Sequence, residues 1–396
     1  MQIYADNAAT TKMSKAVIDT MAECMKNIYG NPSSIHSLGQ QAAEQLAKDR
    51  ESIARILGAE PSEIIFTSGG SEADNQAIRS AALWGKKNGK MHLISTAFEH
   101  HAVLHTLKKL EAEGFLVTLL PVHEDGIVQM EDLRAAVRED TALVSVMFAN
   151  NEIGTIQPIS EIGAFCREAG IIFHSDAVQA AGHVRIDVKE MNIDMLALSA
   201  HKFCGPKGVG ALYVRKGMPV YPLIKGGAQE RGRRGGTENI PGIAGMAKAF
   251  ALAAKKMEEN GVRERKMRDA LIAGLSEIPH ARLNGDAARR LPGNVNFCFE
   301  GIEGESLLLL LDAKGIGASS GSACTSGSLD PSHVLLAIGL PHEVAHGSLR
   351  LTLSAENTME EVAYMITEIA AVVEYLRSIS PVWEELEKGE REHVIQ

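Results

Sequence analysis

The segment LALSAHKFCGPKGVGALYV (Leu196–Val214) places Lys202 between an apolar run and a glycine-rich turn. Lysine is rarely buried without a partner, and a partly desolvated amine has a lowered pKa and can attack carbonyl groups. Lys202 is therefore either a surface residue or a Schiff-base nucleophile. The segment alone favours the surface interpretation, because lysine stems commonly lie along apolar surface with the ammonium in water. Only other parts of the chain can decide between the two.

Short apolar runs alternate with amphipathic segments from about Pro61 to Val214, which predicts βαβ units on a parallel sheet. The predicted strands are EIIFTS, MHLIST, FLVTLLP, ALVSVMF, GIIFHSD, MLALSA and GALYV. Further on, residues 243–259 and the polar run KKMEENGVRERKMRD predict a long helix that leads into a second domain, and SLLLLLDAKG predicts a buried helix. The polar tail SPVWEELEKGEREHVIQ is predicted to have no regular structure.

Composition narrows the class of protein. The 396 residues are 45% hydrophobic, which is enough for a large core and two or three domains. A net charge of -10 argues against nucleic acid as a partner. No stretch reaches the length of a membrane span, and the N-terminus has no signal-peptide pattern, so we expect a cytoplasmic protein without a membrane partner. The five cysteines contain no C-x-x-C pair, which predicts reduced thiols and no metal site.

The segment IIFTSGGSEADNQAIRSAA predicts a strand, a glycine turn and a helix. Backbone N–H groups near Gly69, Gly70 and Ser71 would then point from the N-terminus of a helix towards an anion, as in a phosphate cradle. The turn matches neither G-x-G-x-x-G nor the P-loop pattern, so dinucleotide and P-loop sites lack their fingerprints. The alternative is a tight turn that binds nothing.

The segment GIIFHSDAVQAAG places Asp176 directly after an apolar strand, with Gln179 three residues further on. Ligands of open α/β sheets bind beyond the carboxyl ends of the strands, where an acid could hold a pyridinium nitrogen in its protonated form. The alternative for Asp176 is a helix N-cap. Asp176 and Lys202 would lie on successive strand ends of one cleft.

The segment TAFEHHAVLHTL carries His100, His101 and His105. The H-E-x-x-H pattern is absent, and no cysteine or carboxylate motif follows at ligand spacing, which disfavours zinc. His100 follows another predicted strand, so it could supply a flat ring and an acid–base group at the same edge of the sheet. The alternative is a surface histidine on the first turn of a helix.

A phosphate cradle, an acid, an aromatic ring and a Schiff-base lysine together describe a pyridoxal phosphate site. The ordered motifs YADNAATT, GNPSSIHSLG, SGGSEADN, FEHHAVL, NNEIGT, HSDAVQAAG, SAHKFCGPKGVG, RGGTEN and SSGSACTSGSLDPSHVL resemble those of fold-type I pyridoxal phosphate enzymes of the NifS/IscS cysteine desulfurase family. The resemblance implies a mostly parallel seven-stranded sheet in a large cofactor-binding domain, residues 16–259. It implies a smaller α+β domain formed by residues 1–15 and 260–396, with a mobile cysteine loop at about 315–330.

The resemblance also implies a role for each site residue. Lys202 would bind the cofactor covalently, Asp176 would meet the pyridine nitrogen, and His100 would stack on the ring. Gln179 would contact the phenolic oxygen of the cofactor, and Asn151 would contact the cofactor as well. The phosphate would be held by Gly70, Ser71, Ser199, His201 and Thr237, the last from a second subunit. Asn151 and Arg350 would hold the substrate carboxylate, a role that suits the planar fork of arginine. Without the family, Arg350 would be interpreted as an edge-strand ion pair.

Cys324 differs from the other cysteines in its surroundings. Nine of the fourteen residues from Gly315 to Ser328 are glycine or serine, a composition that disfavours rigid packing. A thiolate on such a loop could take sulfur from a cysteine–cofactor adduct and carry it outward. Because a free thiol is largely protonated at pH 7, a nearby group must deprotonate it, and His100 is the candidate.

These features predict an L-cysteine desulfurase in which Lys202 removes the α-proton, Cys324 accepts sulfur as a persulfide, and alanine is released. The resemblance implies pyridoxal 5'-phosphate as cofactor, a homodimer, and an iron–sulfur scaffold or another sulfur-acceptor protein as partner. Cys324 could also contact an iron–sulfur cluster transiently. The alternatives are a selenocysteine lyase or aminotransferase of the same fold, or a catalytically inert partner-binding protein. The sequence does not separate a nitrogenase-dedicated role from a housekeeping one.

Overall fold

The structure, a computed structural model, describes residues 2–320 and 331–395. The strands are β1 (Ile3–Tyr4), β2 (Ile64–Thr67), β3 (His92–Thr96), β4 (Leu116–Leu120), β5 (Thr141–Ser145), β6 (Ile172–Asp176), β7 (Met195–Ser199), β8 (Gly210–Val214), β9 (Ala281–Leu283), β10 (Asn294–Phe299), β11 (Ile316–Gly317) and β12 (Ser348–Thr352).

The α-helices enclose and connect these strands. They are α1 (Lys15–Asn27), α2 (Ser37–Leu57), α3 (Gly70–Lys87), α4 (His101–Ala112), α5 (Met130–Ala136), α6 (Ile159–Ala169), α7 (Ile240–Ser276), α8 (Gly304–Ala313), α9 (His333–Ala337), α10 (His342–His346), α11 (Met359–Ser378) and α12 (Pro381–Glu387).

The seven predicted strands form one sheet in the order β2-β8-β7-β6-β5-β3-β4. The neighbouring pairs among β3 to β7 are parallel, and β8 runs antiparallel to both β7 and β2. β5 to β8 are buried along their whole length, as expected for strands covered by helices on both faces. The α/β fold with a mostly parallel seven-stranded sheet is therefore confirmed. The carboxyl ends of β2, β3, β6 and β7 all lie at one edge of this sheet.

A second body surrounds two smaller sheets. β10 lies between β9 and β12 in an antiparallel sheet, and β1 pairs in parallel with β11, which brings the N-terminus to this part of the chain. Its apolar core joins Ile3 and Ala5 to side chains from β10, β12, α8 and α11.

The long helix predicted beyond residue 243 is the 37-residue α7. Its first half packs on the core beneath the large sheet, whereas Met267, Leu271 and Leu275 belong to the second core. Residue 260, the predicted domain boundary, lies inside this continuous helix, and the division there stays a prediction. The leucine block does form a helix, α8, but only one face is covered: Leu307 and Leu311 are buried while Leu309 is 67% exposed.

The prediction of an unstructured tail was wrong, because the tail folds as α12 and then packs against Glu300, which directly follows β10, and against His280. The carboxylate of Glu300 accepts hydrogen bonds from the backbone N–H of Val394 (2.8 Å) and pairs with Nδ1 of His393 (2.9 Å). The rings of His280 and His393 stack with centroids 3.6 Å apart, and the Nδ1 of His280 lies 2.6 Å from the carbonyl oxygen of Ile395. The sequence did not predict these contacts of the tail, because they are hydrogen bonds and ring stacking and leave no periodic pattern of apolar residues.

The three side chains His280, Glu300 and His393 place ligand atoms within 4.8 Å of one another, the spacing of a metal site. The lone pairs of two parallel stacked rings do not converge on one ion, and both Nδ1 atoms already have oxygen partners. We therefore assign the cluster to holding the tail. In the described part of the chain, no helix is both long and apolar enough to cross a bilayer.

Candidate active site

Lys202 ends a 3₁₀ turn, residues 200–202, that follows β7 directly. Its Nζ donates hydrogen bonds to the carbonyl oxygens of Ala8 (2.6 Å) and Ala9 (2.8 Å). The ammonium thus points into the protein towards the N-terminal segment, and Lys202 is not a snorkelling surface residue. Sequence reasoning quoted this N-terminal segment as a motif but gave its residues no part in the site.

Asp176 is the last residue of β6, and Gln179 lies in the turn that follows. One oxygen of the Asp176 carboxylate accepts the backbone N–H of Val178 (2.9 Å), so the aspartate caps its own turn rather than a helix. Burial raises the pKa of Asp176, while His100, the Val178 N–H and Lys202 lower it. The side-chain amide of Gln179 donates to the Ala8 oxygen (3.0 Å), which Lys202 also contacts. The end of β6 and the lysine therefore meet at one point.

His100 is the N-cap of α4, and its Nδ1 accepts the backbone N–H of Ala102 (3.1 Å). Burial lowers the pKa of His100, and the charges of Lys202 and His105 lower it further, against the opposing effect of Asp176. The ring is therefore neutral near pH 7 and carries its hydrogen on Nε2, because Nδ1 is an acceptor. His100 begins a helix, and it also interacts electrostatically with Asp176 and Lys202; its stacking and acid–base role stays a prediction.

The glycine turn after β2 packs against the end of β7. Gly69 is the N-cap of α3 with φ 155°, and no side chain caps this helix. A Cβ added to Gly70 would lie 2.5 Å from Cγ2 of Val178 and 3.8 Å from Cβ of Ser199, so both are immediate neighbours of the turn. Because no side chain of the described residues caps the first N–H groups of α3, these groups can bind an anion. Ser71, on the first turn of α3, is exposed.

His201 and Ser199 complete this edge of the sheet. Ser199 is buried at the end of β7, and the Nδ1 of His201 lies 3.1 Å from Oγ1 of Thr10. Burial lowers the pKa of His201 to about 4, and the charges of Lys202 and Lys207 act in the same direction. His201 is therefore neutral and can form hydrogen bonds without adding a charge.

Arg350 lies on β12 and is 2% exposed. One of its terminal nitrogens bonds the Asp6 carboxylate (2.8 Å), and the other donates to the main-chain oxygen of Asn151 (3.2 Å). Its Nε is buried without a hydrogen-bond partner among the described residues. The arginine thus has an ion pair, as the interpretation without the family expected, and also an N–H group left for another acceptor.

One predicted site residue is not joined to this cluster, and another lies outside the described residues. Thr237 is exposed in the single chain, in a loop held near the start of α3 by the ion pair between Arg234 and Glu72 (2.9 Å). Cys324 lies outside the described residues, as does most of the loop predicted at about 315–330.

The residues of this site fit pyridoxal 5'-phosphate. The uncapped helix start beside Ser199 suits a phosphate, and a side chain at Gly70 would fill that space. A buried carboxylate, a neutral ring and an amine lie within electrostatic reach of one another, which matches the groups that hold a pyridine ring and a Schiff base.

Sequence reasoning missed a group of buried acids behind this site. Asp74, Glu99 and Asp176 come from three separate segments, and burial raises the pKa of each; the Asp176 charge raises the pKa of the other two further, and Glu99 adds to the effect on Asp74. His174 lies 3.4 Å from the Asp74 carboxylate, and burial lowers the pKa of its ring to about 3. The only signal in the sequence was the position of His174 two residues before Asp176, on the same face of β6.

Comparison with known proteins identifies the family of the chain. Residues 3–365 match the family model described as aminotransferase class-V. The chain is 54% identical over 394 residues to the cysteine desulfurase IscS of Clostridium botulinum strain Hall, covering 99% of each chain. It is 55% identical over 380 residues to the cysteine desulfurase IscS of Methanosarcina thermophila, covering 96% of this chain and 94% of the relative.

Solved structures agree with the fold. A NifS-like protein superposes with a TM-score of 0.89 at 39% identity, covering 95% of this chain and 100% of that one. A NifS-like protein from Rickettsia africae gives a TM-score of 0.85 at 30% identity, covering 94% and 100%. The chain therefore belongs to the class-V aminotransferase family of pyridoxal phosphate-dependent enzymes, and within it to the NifS/IscS-type cysteine desulfurases.

Proposed function

We propose that the chain converts L-cysteine to L-alanine and retains the sulfur as a persulfide on Cys324, from which it passes to a protein acceptor for iron–sulfur cluster assembly. The observation that carries this proposal is the meeting of Lys202, Asp176 and His100 at the carboxyl edge of the sheet. The relatives named cysteine desulfurase supply the substrate class.

Pyridoxal phosphate, when bound, withdraws electrons from the substrate, which acidifies its Cα–H and weakens its Cβ–S bond. Lys202 removes the α-proton, for which its amine has to give up the proton that it now shares with the Ala8 and Ala9 carbonyls. The Asp176 carboxylate offsets the positive charge of the ring nitrogen. Gly70, Ser199 and His201 hold the phosphate without bringing a second positive charge from the histidine, whose pKa is low.

His100 has a restricted role in proton transfer. While Nδ1 accepts the Ala102 N–H, the only ring position that can exchange a proton is Nε2, which already carries a hydrogen. The ring can therefore donate a proton at Nε2, and it can take one from the thiol of Cys324 only after it has donated its own or the cap bond has opened.

The transfer balances without an external oxidant. The Cβ–S bond of cysteine breaks, a S–S bond to Cys324 forms, and the carbon that loses sulfur gains a proton. The substrate carbon is reduced to the methyl group of alanine, and the transferred sulfur is oxidised to the persulfide level.

Arg350 and Asn151 hold the substrate carboxylate in this proposal. The unpartnered Nε of Arg350 supplies the N–H, and Asp6 orients the guanidinium through the ion pair at 2.8 Å. The homodimer is also proposed, because Thr237 is exposed and would be used by a neighbouring subunit's phosphate site. A cytoplasmic location stays a prediction.

Cys324→Ser tests the proposed function. The parent enzyme, briefly exposed to cysteine and then digested, should show added sulfur on the peptide that carries Cys324. In the variant, cofactor absorbance should persist while alanine and sulfide production collapse, since a serine hydroxyl is a far weaker nucleophile than a thiolate. Added sulfur on Cys24, Cys166, Cys204 or Cys298 would contradict the choice of cysteine. Turnover of selenocysteine that survived in the variant would favour the lyase alternative.

A further inference from the structure

Glu152, the acid of the NNEIGT motif, has a hydrogen-bond partner 180 positions further along the chain that the proposed function does not use. Its carboxylate accepts a hydrogen bond from the hydroxyl of Ser332, and both residues are 5% exposed. Ser332 follows Pro331, where the described chain resumes, and it lies eight residues after Cys324.

The direction of this bond follows from the other contacts of the serine. Ser332 is the N-cap of α9, and its Oγ accepts the backbone N–H groups of Val334 (3.1 Å) and Leu335 (3.4 Å). These two bonds occupy the lone pairs of the hydroxyl, so its one hydrogen is left for Glu152. The carboxylate therefore fixes the rotation of the hydroxyl that caps the helix.

Glu152 is itself held in place by neighbouring main-chain bonds. Its carbonyl oxygen accepts the side-chain amides of Asn294 (3.1 Å) and Asn296 (3.2 Å), and its N–H donates to Oδ1 of Asn150 (2.8 Å). Burial raises the pKa of Glu152 to about 7, against the lowering effects of Ser332 and of the Arg350 charge. Burying a carboxylate costs free energy because the group loses its water. The hydrogen bond of Glu152 to Ser332 therefore calls for an explanation beyond stability.

A second bond attaches the same helix to the site. The Nε2 of His333 lies 2.9 Å from the main-chain oxygen of Glu99, the residue before His100. The first residues of α9 are thus joined both to the turn that carries Asn151 and to the turn that carries His100.

We infer that Glu152 is a positioning residue for sulfur transfer: through Ser332 it fixes the start of α9, and with it the point from which the chain leads back to Cys324. This inference rests on the proposed function. It predicts that the Glu152–Ser332 bond affects the step that uses Cys324 and leaves the binding of cysteine to the cofactor unchanged.

The test separates these two steps in the holoenzyme. Absorbance change on mixing with L-cysteine measures substrate binding, and alkylation followed by mass spectrometry measures the rate of the first persulfide on Cys324. For Ser332→Ala we expect half-saturation within about twofold of the parent and a persulfide rate lower by roughly tenfold, the size of one lost charge-assisted hydrogen bond. Ser332→Thr, which keeps a capping hydroxyl, should restore most of the rate.

Glu152→Leu, which leaves no acceptor for the Ser332 hydroxyl, should show the same split, and the double variant Ser332→Ala/Glu152→Leu should be no slower than either single variant, because all three lack the same bond. Ser380→Ala is the matched control: it removes the N-cap of α12, whose Oγ accepts the Trp383 N–H (3.3 Å), and should leave both steps at the parental level.

A parental persulfide rate in Ser332→Ala would overturn the inference, and so would additive losses in the double variant. Parallel loss of the absorbance change and of the persulfide rate would also overturn it, because that result means general damage to the site. If the parent forms no persulfide on Cys324, the proposed function fails instead, whatever the variants show.

Discussion

Gly70→Ala tests whether one methyl group can disturb two parts of the cofactor site at once. The added Cβ would lie 2.5 Å from Cγ2 of Val178, which sits in the turn between Asp176 and Gln179. Val178 also donates its N–H to the Asp176 carboxylate. A push on Val178 therefore moves the partner of the ring nitrogen as well as the wall of the phosphate cradle.

The size of the effect follows from that distance. Carbon atoms in contact lie about 3.5–4.0 Å apart, so one of the two groups must move by about 1 Å. Overpacking of this kind costs about 1–3 kcal/mol, and alanine in place of glycine in a helix returns up to ~1 kcal/mol. We expect the apoprotein to lose about 1 kcal/mol of stability and the Kd for pyridoxal phosphate to rise about tenfold, which corresponds to ~1.4 kcal/mol.

Titration of the apoprotein with pyridoxal phosphate, followed by absorbance, measures this Kd. Val178→Ala removes the methyl group that clashes. The Kd of the double variant Gly70→Ala/Val178→Ala should therefore lie within about twofold of the Kd of Val178→Ala alone. Gly89→Ala is the control: its Cβ would meet no atom within 4 Å, and although the φ of 74° makes the substitution costly for stability, the Kd should stay unchanged. An equal loss in the single and double variants would refute the steric argument, as would an unchanged Kd in Gly70→Ala.

Lys202→Ala should lose both the borohydride-reducible absorbance and cysteine turnover, and alanine release at the parental rate would contradict the assignment of this lysine. The buried ring of His174 should lower stability in acid: its pKa is about 3 in the folded chain and near 6.5 when unfolded, so stability is present above 6.5 and is lost as pH falls towards 3. The free energy of unfolding, measured in urea, should fall between pH 7 and pH 5, and this fall should be about 2 kcal/mol smaller in His174→Gln than in the parent. An equal fall in both proteins would contradict the prediction. Sedimentation should find a two-fold dimer as the active species, whereas a fully active monomer would exclude a site shared through Thr237.

Local pattern was sufficient to predict the large sheet. Each of its strands is a short apolar run bounded by polar or glycine residues, and the observed bounds fall within the predicted runs except for β5, which begins one residue earlier, at Thr141. In strands buried on both faces, apolar residues form a continuous run and do not alternate with polar ones. Such a run can be recognised without knowing which strand lies beside it. The positions of Asp176 and Lys202 followed from the same rule, because residues directly after parallel strands share one edge.

Contacts between distant segments could not be predicted in this way. The Asp6–Arg350 ion pair joins residues 344 positions apart, and the Glu152–Ser332 bond spans 180 positions. Neither pair has a spacing that a helix or a strand would impose. The same limit explains the tail, whose partner Glu300 directly follows β10 and has no local relation to His393.

The buried acids explain why Asp176 is the carboxylate suited to a charged role. Three carboxyl groups within electrostatic reach, shielded from water, cannot all be ionised at neutral pH. Burial raises the pKa of Asp74, and Asp176 and Glu99 raise it further; burial also raises the pKa of Glu99, to about 8. Glu99 is therefore largely protonated at pH 7, and the pKa of Asp74 is displaced in the same direction.

Asp176 differs from them in its neighbours, because the charge of Lys202, the Val178 N–H and the nearby His100 ring all lower its pKa against the effect of burial. The negative charge of the cluster is thus directed to the one carboxylate that ends a strand at the open edge of the sheet. Replacing Asp74 by asparagine would keep that distribution, whereas a permanent charge at position 74 would compete with Asp176 for it. Which of the three acids is charged therefore depends on groups from three separate chain segments, and the sequence of one segment is not sufficient to predict it.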